Sequence, residues 1–243
     1  MTQSLLFLLL LALVSCAAGS KPASKPTMSH DHGDEVHHAS VDDGGEHGAA
    51  NAHMHQATFE ELVARFEDPS RLSWQKPEAV LAKLGPLAGR TVADLGAGTG
   101  FFSVRLAAAG AKVFAVDVDQ RFVDYIAARA KKEPHGDRIE ARLATLDDPK
   151  LEPASVDDVL LVDVYHHIDA REAYFRRLLS AFRPHGRLFV VDFKKGDLPV
   201  GPPDMLKLPA EHVVLELTRA GYGEPEVDTT TLPYQYIVRM RAR

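Results

Sequence analysis

Three glycines alternate with small residues in Asp94-Leu95-Gly96-Ala97-Gly98-Thr99-Gly100, directly after the apolar run Thr91-Val92-Ala93. Glycine adopts positive φ at little cost, so the segment suits a strand that turns sharply into a helix near Phe101. Bare main chain and the unpaired N–H groups of a helix start then face a ligand, with Asp94, Gly96, Ala97, Gly98 and Gly100 as its candidate contacts. A second carboxylate, Asp117, closes the apolar strand 112–116, about 20 residues past the glycines. An ionised acid accepts two hydrogen bonds side by side, which is what a ribose diol requires, and Val118 follows it. A third polar group, Asp163 with His166 and His167, stands at the tip of the most apolar run, residues 156–164. A neutral imidazole with a pKa near 6.5 can take a proton, so either histidine is a candidate general base; the alternative is that one of them only fixes local structure.

Spacing selects the ligand. A dinucleotide fingerprint, G-x-G-x-x-G, would place its third glycine where Phe101 stands, which opposes an NAD(P)-dependent reductase. The observed order, D-x-G-x-G-x-G, resembles the first motif of the class I S-adenosylmethionine-dependent methyltransferases. Over residues 70–243 the chain looks closest to their small-molecule, quinone-biosynthesis-like branch. The resemblance implies a doubly wound, Rossmann-like α/β fold with a seven-stranded sheet of order 3-2-1-4-5-7-6 and a C-terminal antiparallel hairpin. It implies S-adenosyl-L-methionine as cofactor, Asp117 on the ribose and Asp163 on the cofactor at the fourth-strand tip. An acid commonly follows the third strand in this family and meets the adenine amino group. Here that position is Thr145, so the adenine contact would fall to backbone groups of Thr145 and Leu146. Sulfonium is already electrophilic, so the protein has only to align a nucleophile, exclude water and, for O or N acceptors, remove a proton.

The elements that must position these groups are legible from periodicity. Phe59, Leu62, Val63 and Phe66 recur at helical spacing, and a second helix spans residues 77–84 with proline in its first turn and Gly85 after its end. Trp74, between them, either closes over the cofactor or packs in the core. Strands are expected at 112–116, 139–143, 156–164, 187–193, 227–232 and 234–241, and helices at 101–109, about 122–129 and 209–220. Ile168-Asp169-Ala170-Arg171-Glu172 reads as a hydrophobic staple and capping box opening a helix that buries Phe175, Leu178, Leu179 and Phe182. His185 replaces a glycine of the family's P-G-G-x-L segment and reads as a turn residue. The proline-rich stretch 198–208 is either a lid over the acceptor pocket or a packed connection, and Lys194 and Lys195 either bind an acidic substrate or line a solvated loop.

The first 57 residues differ in kind. Residues 5–14 are uninterruptedly apolar but too few to cross a bilayer, which takes about 20. They read as a signal-peptide core, and Leu13-Val14-Ser15-Cys16 resembles the lipobox of bacterial lipoproteins, making Cys16, the sole cysteine, the lipidation site. Residues 17–57 are rich in small, acidic and histidine residues and too poor in apolar side chains to offset ordering entropy; they read as a disordered tether. Seven histidines lie there, able to chelate a divalent metal loosely, the other reading being a solubilising linker. The chain carries a formal charge of −6, of which −4 falls on this segment and −2 on residues 58–243. Neither part is basic, which opposes a nucleic-acid substrate.

Two functional readings follow. One is a methyltransferase acting on a small-molecule acceptor, anchored as a lipoprotein in the periplasm or at the outer membrane. The other is an exported lipoprotein that keeps the fold but binds metal or another ligand without methyl transfer. Because Lys21 and Lys25 follow the apolar run and none precedes it, a cytoplasmic location stays open.

Overall fold

The computed structural model describes residues 57–243. The signal segment, Cys16 and the histidine-rich stretch up to residue 56 lie outside them. The helix α1, Phe59–Phe66, opens on a capping box: the Thr58 hydroxyl accepts the Glu61 N–H and the Glu61 carboxylate accepts the Thr58 N–H. Asp68-Pro69 ends it, and a short helix α2, Arg71–Gln75, not expected from the sequence, carries Trp74. Helix α3, Pro77–Leu84, buries Val80, Leu81 and Leu84.

The sheet follows. Strands β1 (Thr91–Leu95), β2 (Lys112–Asp117), β3 (Ile139–Leu143), β4 (Val156–Val162), β5 (Phe182–Phe193), β6 (Gly223–Asp228) and β7 (Gln235–Arg241) pair in the order β3-β2-β1-β4-β5-β7-β6. The first five are parallel, and β7 runs antiparallel to both β5 and β6. Helices α4 (Phe101–Ala108), α5 (Gln120–Ala130), α6 (Arg171–Leu178) and α7 (Ala210–Ala220) make the crossovers. Along β4, Val159 and Leu161 join one apolar layer with Phe175 and Val213, while Leu160 joins the other with Val80 and Leu106. Both faces of the central strand are buried, and it is apolar from Val159 to Val162.

Three local expectations need correction. The strand at 156–164 stops at Val162, because Asp163 takes φ 60° and breaks the extended run. Helix α6 has no capping box; Ala170 precedes it in a left-handed conformation and makes no side-chain cap. The C-terminal hairpin pairs Gly223–Asp228, not 227–232, with β7. In addition, β5 begins at Phe182, and the expected turn around His185, at φ 66°, is a bulge inside it where the pairing with β4 shifts register.

The 194–208 stretch is a packed connection. The Asp204 carboxylate accepts the Gly196 N–H at 2.6 Å, the buried Lys207 ammonium donates to the Gly196 carbonyl at 2.7 Å, and Gly201 lies directly on the Phe193 ring. Lys194 donates to the carbonyls of Leu232 and Pro233. No helix among the described residues is long and apolar enough to cross a membrane.

Candidate active site

Strand order reverses between β1 and β4, and in a parallel sheet the crevice beyond the carboxyl ends of such a pair is where ligands bind. Every described sequence candidate lies at these ends. Asp94 lies near the carboxyl end of β1 and Gly96 through Gly100 follow it, Asp117 ends β2 with Val118 next, Thr145 and Leu146 follow β3, and Asp163 through His167 follow β4.

The glycine turn is held from both sides. Gly96 and Gly98 sit at φ 69° and 55°. A Cβ on Gly96 would come within 2.4 Å of Val164, and one on Gly98 within 3.0 Å of the Phe66 ring. The absent side chains therefore let the β1 turn pack on the β4 tip and under α1. Asp117 is nearly buried; one oxygen accepts the Gly98 N–H at 2.8 Å and the other the Asp119 N–H at 3.0 Å. Burial raises its pKa above the usual carboxylate value and these two N–H groups oppose the rise. Each oxygen keeps a lone pair for a further donor. Val118, half exposed beside it, offers an apolar face. Asp94 is buried and accepts the Ser103 hydroxyl at 2.6 Å; its pKa is pushed up to about 6, chiefly by burial.

Thr145 sits in a tight turn after β3. Its N–H and carbonyl both bond Asp148 and its hydroxyl bonds Asp147, closing a tight turn that leaves its backbone occupied. Leu146 projects from this turn, well exposed.

At the β4 tip, two amides converge on Asp163. Gln75 donates to one carboxylate oxygen at 2.7 Å and Gln235 to the other. Both glutamines are fully buried, and the Oε1 of Gln235 has no hydrogen-bond partner. Burial, and then the neighbouring charge of Asp192, push the Asp163 pKa up to about 6. His166 is buried, with Nδ1 at 2.9 Å from both oxygens of a fully buried Asp192. Asp192 also accepts the Phe193 N–H at 2.7 Å, which fixes the carboxylate. Burial disfavours the charged imidazole, but the charge and hydrogen bond of Asp192 outweigh it, and the pKa is raised. An acceptor-only carboxylate makes Nδ1 the protonated nitrogen and leaves Nε2 to receive a proton. His167 is half-buried, its ring centroid 4.2 Å from that of His166.

The leading helices close over this end of the sheet. Phe66 stacks on Phe122, and Glu67 accepts both the Thr99 hydroxyl and, at 2.6 Å, Arg129 of α5. Trp74 packs on Phe193 at 5.8 Å between ring centroids, as a packing residue rather than a free cover.

Sequence reasoning did not find Arg71, Gln75, Asp192 or Gln235. Asp192 carried a signal, an acid at the end of an apolar strand, the same pattern that singled out Asp117. The other three are lone polar residues whose burial depends on long-range packing.

Residues 93–190 match the model of a family described as "Methyltransferase domain". The sheet order is that of the Rossmann-like class I methyltransferase fold, and the family match lies within it. A structure titled as a SAM dependent methyltransferase from Aquifex aeolicus superposes on this domain with a TM-score of 0.71 at 26% identity, covering 77% of this chain and 100% of that one. An uncharacterized methyltransferase of Mycobacterium tuberculosis is 36% identical over 115 residues, 47% of this chain and 44% of its own length. The 27-O-demethylrifamycin SV methyltransferase of Amycolatopsis mediterranei is 30% identical over 171 residues, 70% of this chain and 55% of its own. The chain thus spans about half the length of the curated relatives it matches. The crevice has groups that an adenosyl sulfonium would meet: a glycine turn, a carboxylate with free lone pairs for the ribose, and an apolar residue beside it. Among the described residues no three His, Cys, Asp or Glu side chains gather as a metal site.

Proposed function

We propose that this protein transfers a methyl group from S-adenosyl-L-methionine to a hydroxyl of a small-molecule acceptor. The observation that carries this is the joint placement, at one switch point, of the Asp117-braced glycine turn and the His166–Asp192 pair. The glycine turn and Asp117 would hold the adenosyl end, with Val118 and Leu146 flanking the base. When bound, the cofactor supplies an electrophilic methyl group. Asp192 fixes the imidazole tautomer, and His166 Nε2 takes the proton that the acceptor hydroxyl loses as its oxygen attacks. The closed leading helices exclude water from the crevice. The relatives named as a ubiquinone biosynthesis O-methyltransferase and as a rifamycin methyltransferase support a hydroxyl acceptor on a small organic molecule.

The test is incubation of the purified chain with cofactor tritiated on the methyl group and fractionated small-molecule extracts. A labelled ether that fails to form with His166→Ala supports the reading. Label in no extract, or equal label with the variant, counts against it.

We further propose that the chain is a lipoprotein held at the membrane through Cys16. The apolar run before the cysteine and its lipobox-like flank support this. Labelled palmitate should enter the full chain and not Cys16→Ser; equal incorporation or none refutes acylation.

A further inference from the structure

Strand β3 ends the sheet, and among the described residues no strand pairs with its outer edge. On the inner edge the Ala144 N–H donates to the Asp117 carbonyl. Main-chain groups alternate sides along a strand, so those of Glu140 and Arg142 face β2, while Ala141 and Leu143 turn N–H and C=O outward. Ile139 also turns its C=O outward, and its N–H is taken by the Gly136 carbonyl. Side chains alternate between the two faces of the sheet. Ile139 and Ala141 pack on the layer of Ile126 and Phe102, and Leu143 beside them is half exposed. On the other face Arg142 lies 3.6 Å over the Phe114 ring and donates to Glu140 at 2.9 Å and to Glu152 at 2.7 Å. An open groove of about 600 Å³ runs between α5 and the amino half of β3, floored by the small residues Ala127, Ala130 and Ala141. A bare edge of this kind is a template for a further strand.

The edge is complementary to itself. We infer that two copies of this chain join through β3, antiparallel about a two-fold axis at Ala141, making one continuous sheet from two. Charge selects that register. An axis at Glu140 would set two carboxylates opposite each other and an axis at Arg142 two guanidinium groups, and like charges directly opposite are repulsive. An axis at Ala141 sets Glu140 opposite the partner's Arg142 twice, at the non-hydrogen-bonded pairs where side chains lie closest. Ala141 then exchanges both main-chain bonds with the partner's Ala141, and the Leu143 N–H donates to the partner's Ile139 carbonyl. On the helix-facing side Leu143 meets the partner's Ile139, which covers the exposed leucine, and the alanine floor of the groove leaves room for the second sheet. This surface is separate from the cofactor crevice at β1 and β4, so pairing and methyl transfer can be tested apart.

The test is sedimentation velocity of the full chain carrying Cys16→Ser, so that no acyl group contributes, from about 1 to about 100 μM. This parent chain should sediment as a dimer at the upper end. Glu140→Arg sets like charges opposite each other at two places and should weaken the dimer by about tenfold or more. Adding Arg142→Glu to that variant restores opposite charges and should return the dissociation constant to within about threefold of the parent. Ala141→Pro removes an outward N–H and no bond to β2, so it should be monomeric with an unchanged circular dichroism spectrum. A parent chain that stays monomeric at the highest concentration overturns the proposal, whatever the variants do. So does a dimer that survives both Ala141→Pro and Glu140→Arg, which would place the contact on another surface. If the proline variant does not fold, the charge reversal decides alone: a double variant no tighter than Glu140→Arg contradicts the pairing.

Discussion

The imidazole of His166 faces the carboxylate of Asp192 with Nδ1 at 2.9 Å from each oxygen, and both side chains are buried. Two effects oppose each other on that ring. Burial favours the neutral form, and the charge and hydrogen bond of Asp192 favour the cation more strongly. The folded-state pKa therefore lies above the ordinary histidine value. The pair's contribution to stability is full below the unfolded pKa of about 6.5 and is lost as pH rises through the folded one. Imidazole NMR should place the His166 inflection above 6.5 in the wild type and lower in Asp192→Asn, where burial is opposed only by the weaker pull of Asp163. Methyl transfer should fall by about 10²-fold or more in His166→Ala. An unmoved inflection in Asp192→Asn would remove the pairing from the account.

Asp163 and Asp94 give the cofactor crevice a pH dependence of opposite sense. Both acids are raised to about 6, mainly by burial. A raised acid means the folded state takes up a proton more readily than the unfolded chain. Ionisation therefore costs folding stability above pH 6, and that cost is relieved as pH falls toward the unfolded value. Cofactor binding needs the ionised form at Asp163, so affinity should drop by up to about tenfold per pH unit below 6. Calorimetric titrations between pH 5 and 7 check this. Asp163→Asn should bind more weakly at pH 7 with a shallower dependence, and an affinity flat across that range in the wild type would contradict the assignment.

Gly96 couples the β1 turn to the β4 tip through shape alone. An alanine there would need φ 69° and would press its Cβ to 2.4 Å from Val164. Val164 is β-branched and rotates little, so the clash must be met by backbone movement. Gly96→Ala should destabilise the fold by about 1–3 kcal/mol in urea unfolding. Adding Val164→Ala should recover part of the loss, leaving the φ penalty. Equal midpoints for wild type and Gly96→Ala would show that the turn is looser than described.

Far from the crevice, Asp158 is fully buried between Arg90 and Arg187, at 2.6 and 2.7 Å. Removing it leaves two guanidinium groups facing a buried gap. Asp158→Ala should cost about 3–5 kcal/mol of stability. Cofactor affinity in the remaining folded protein should change by less than about threefold, because the residue sits toward the amino ends of the strands. A large affinity loss without a stability loss would reverse that separation of roles.

Much of this was readable from the chain. Most strands and helices are marked by apolar periodicity, the sheet order was implied by the family resemblance of the glycine motif, and Asp94, Asp117 and the glycines are set by local geometry that leaves a mark in sequence. Thr145 was placed correctly at the β3 tip, but its backbone bonds to Asp148 depend on a turn that no periodicity announces. Asp163 was located, whereas its two glutamine partners lie 88 and 72 residues away and no local pattern marks either one. The capping box expected before α6 failed because the residue at the helix start is Ala170, left-handed and without a side chain that can cap.

The central claim is that Asp117 and the glycine turn, joined by the 2.8 Å bond from the Gly98 N–H, hold an adenosyl ligand. Calorimetric titration of the full chain with S-adenosylhomocysteine, beside an NAD control and the Asp117→Ala variant, addresses it directly. The account predicts saturable binding of the adenosyl ligand, none of NAD, and at least a tenfold loss in the variant. Binding that is absent, or equally tight without the carboxylate, would contradict it.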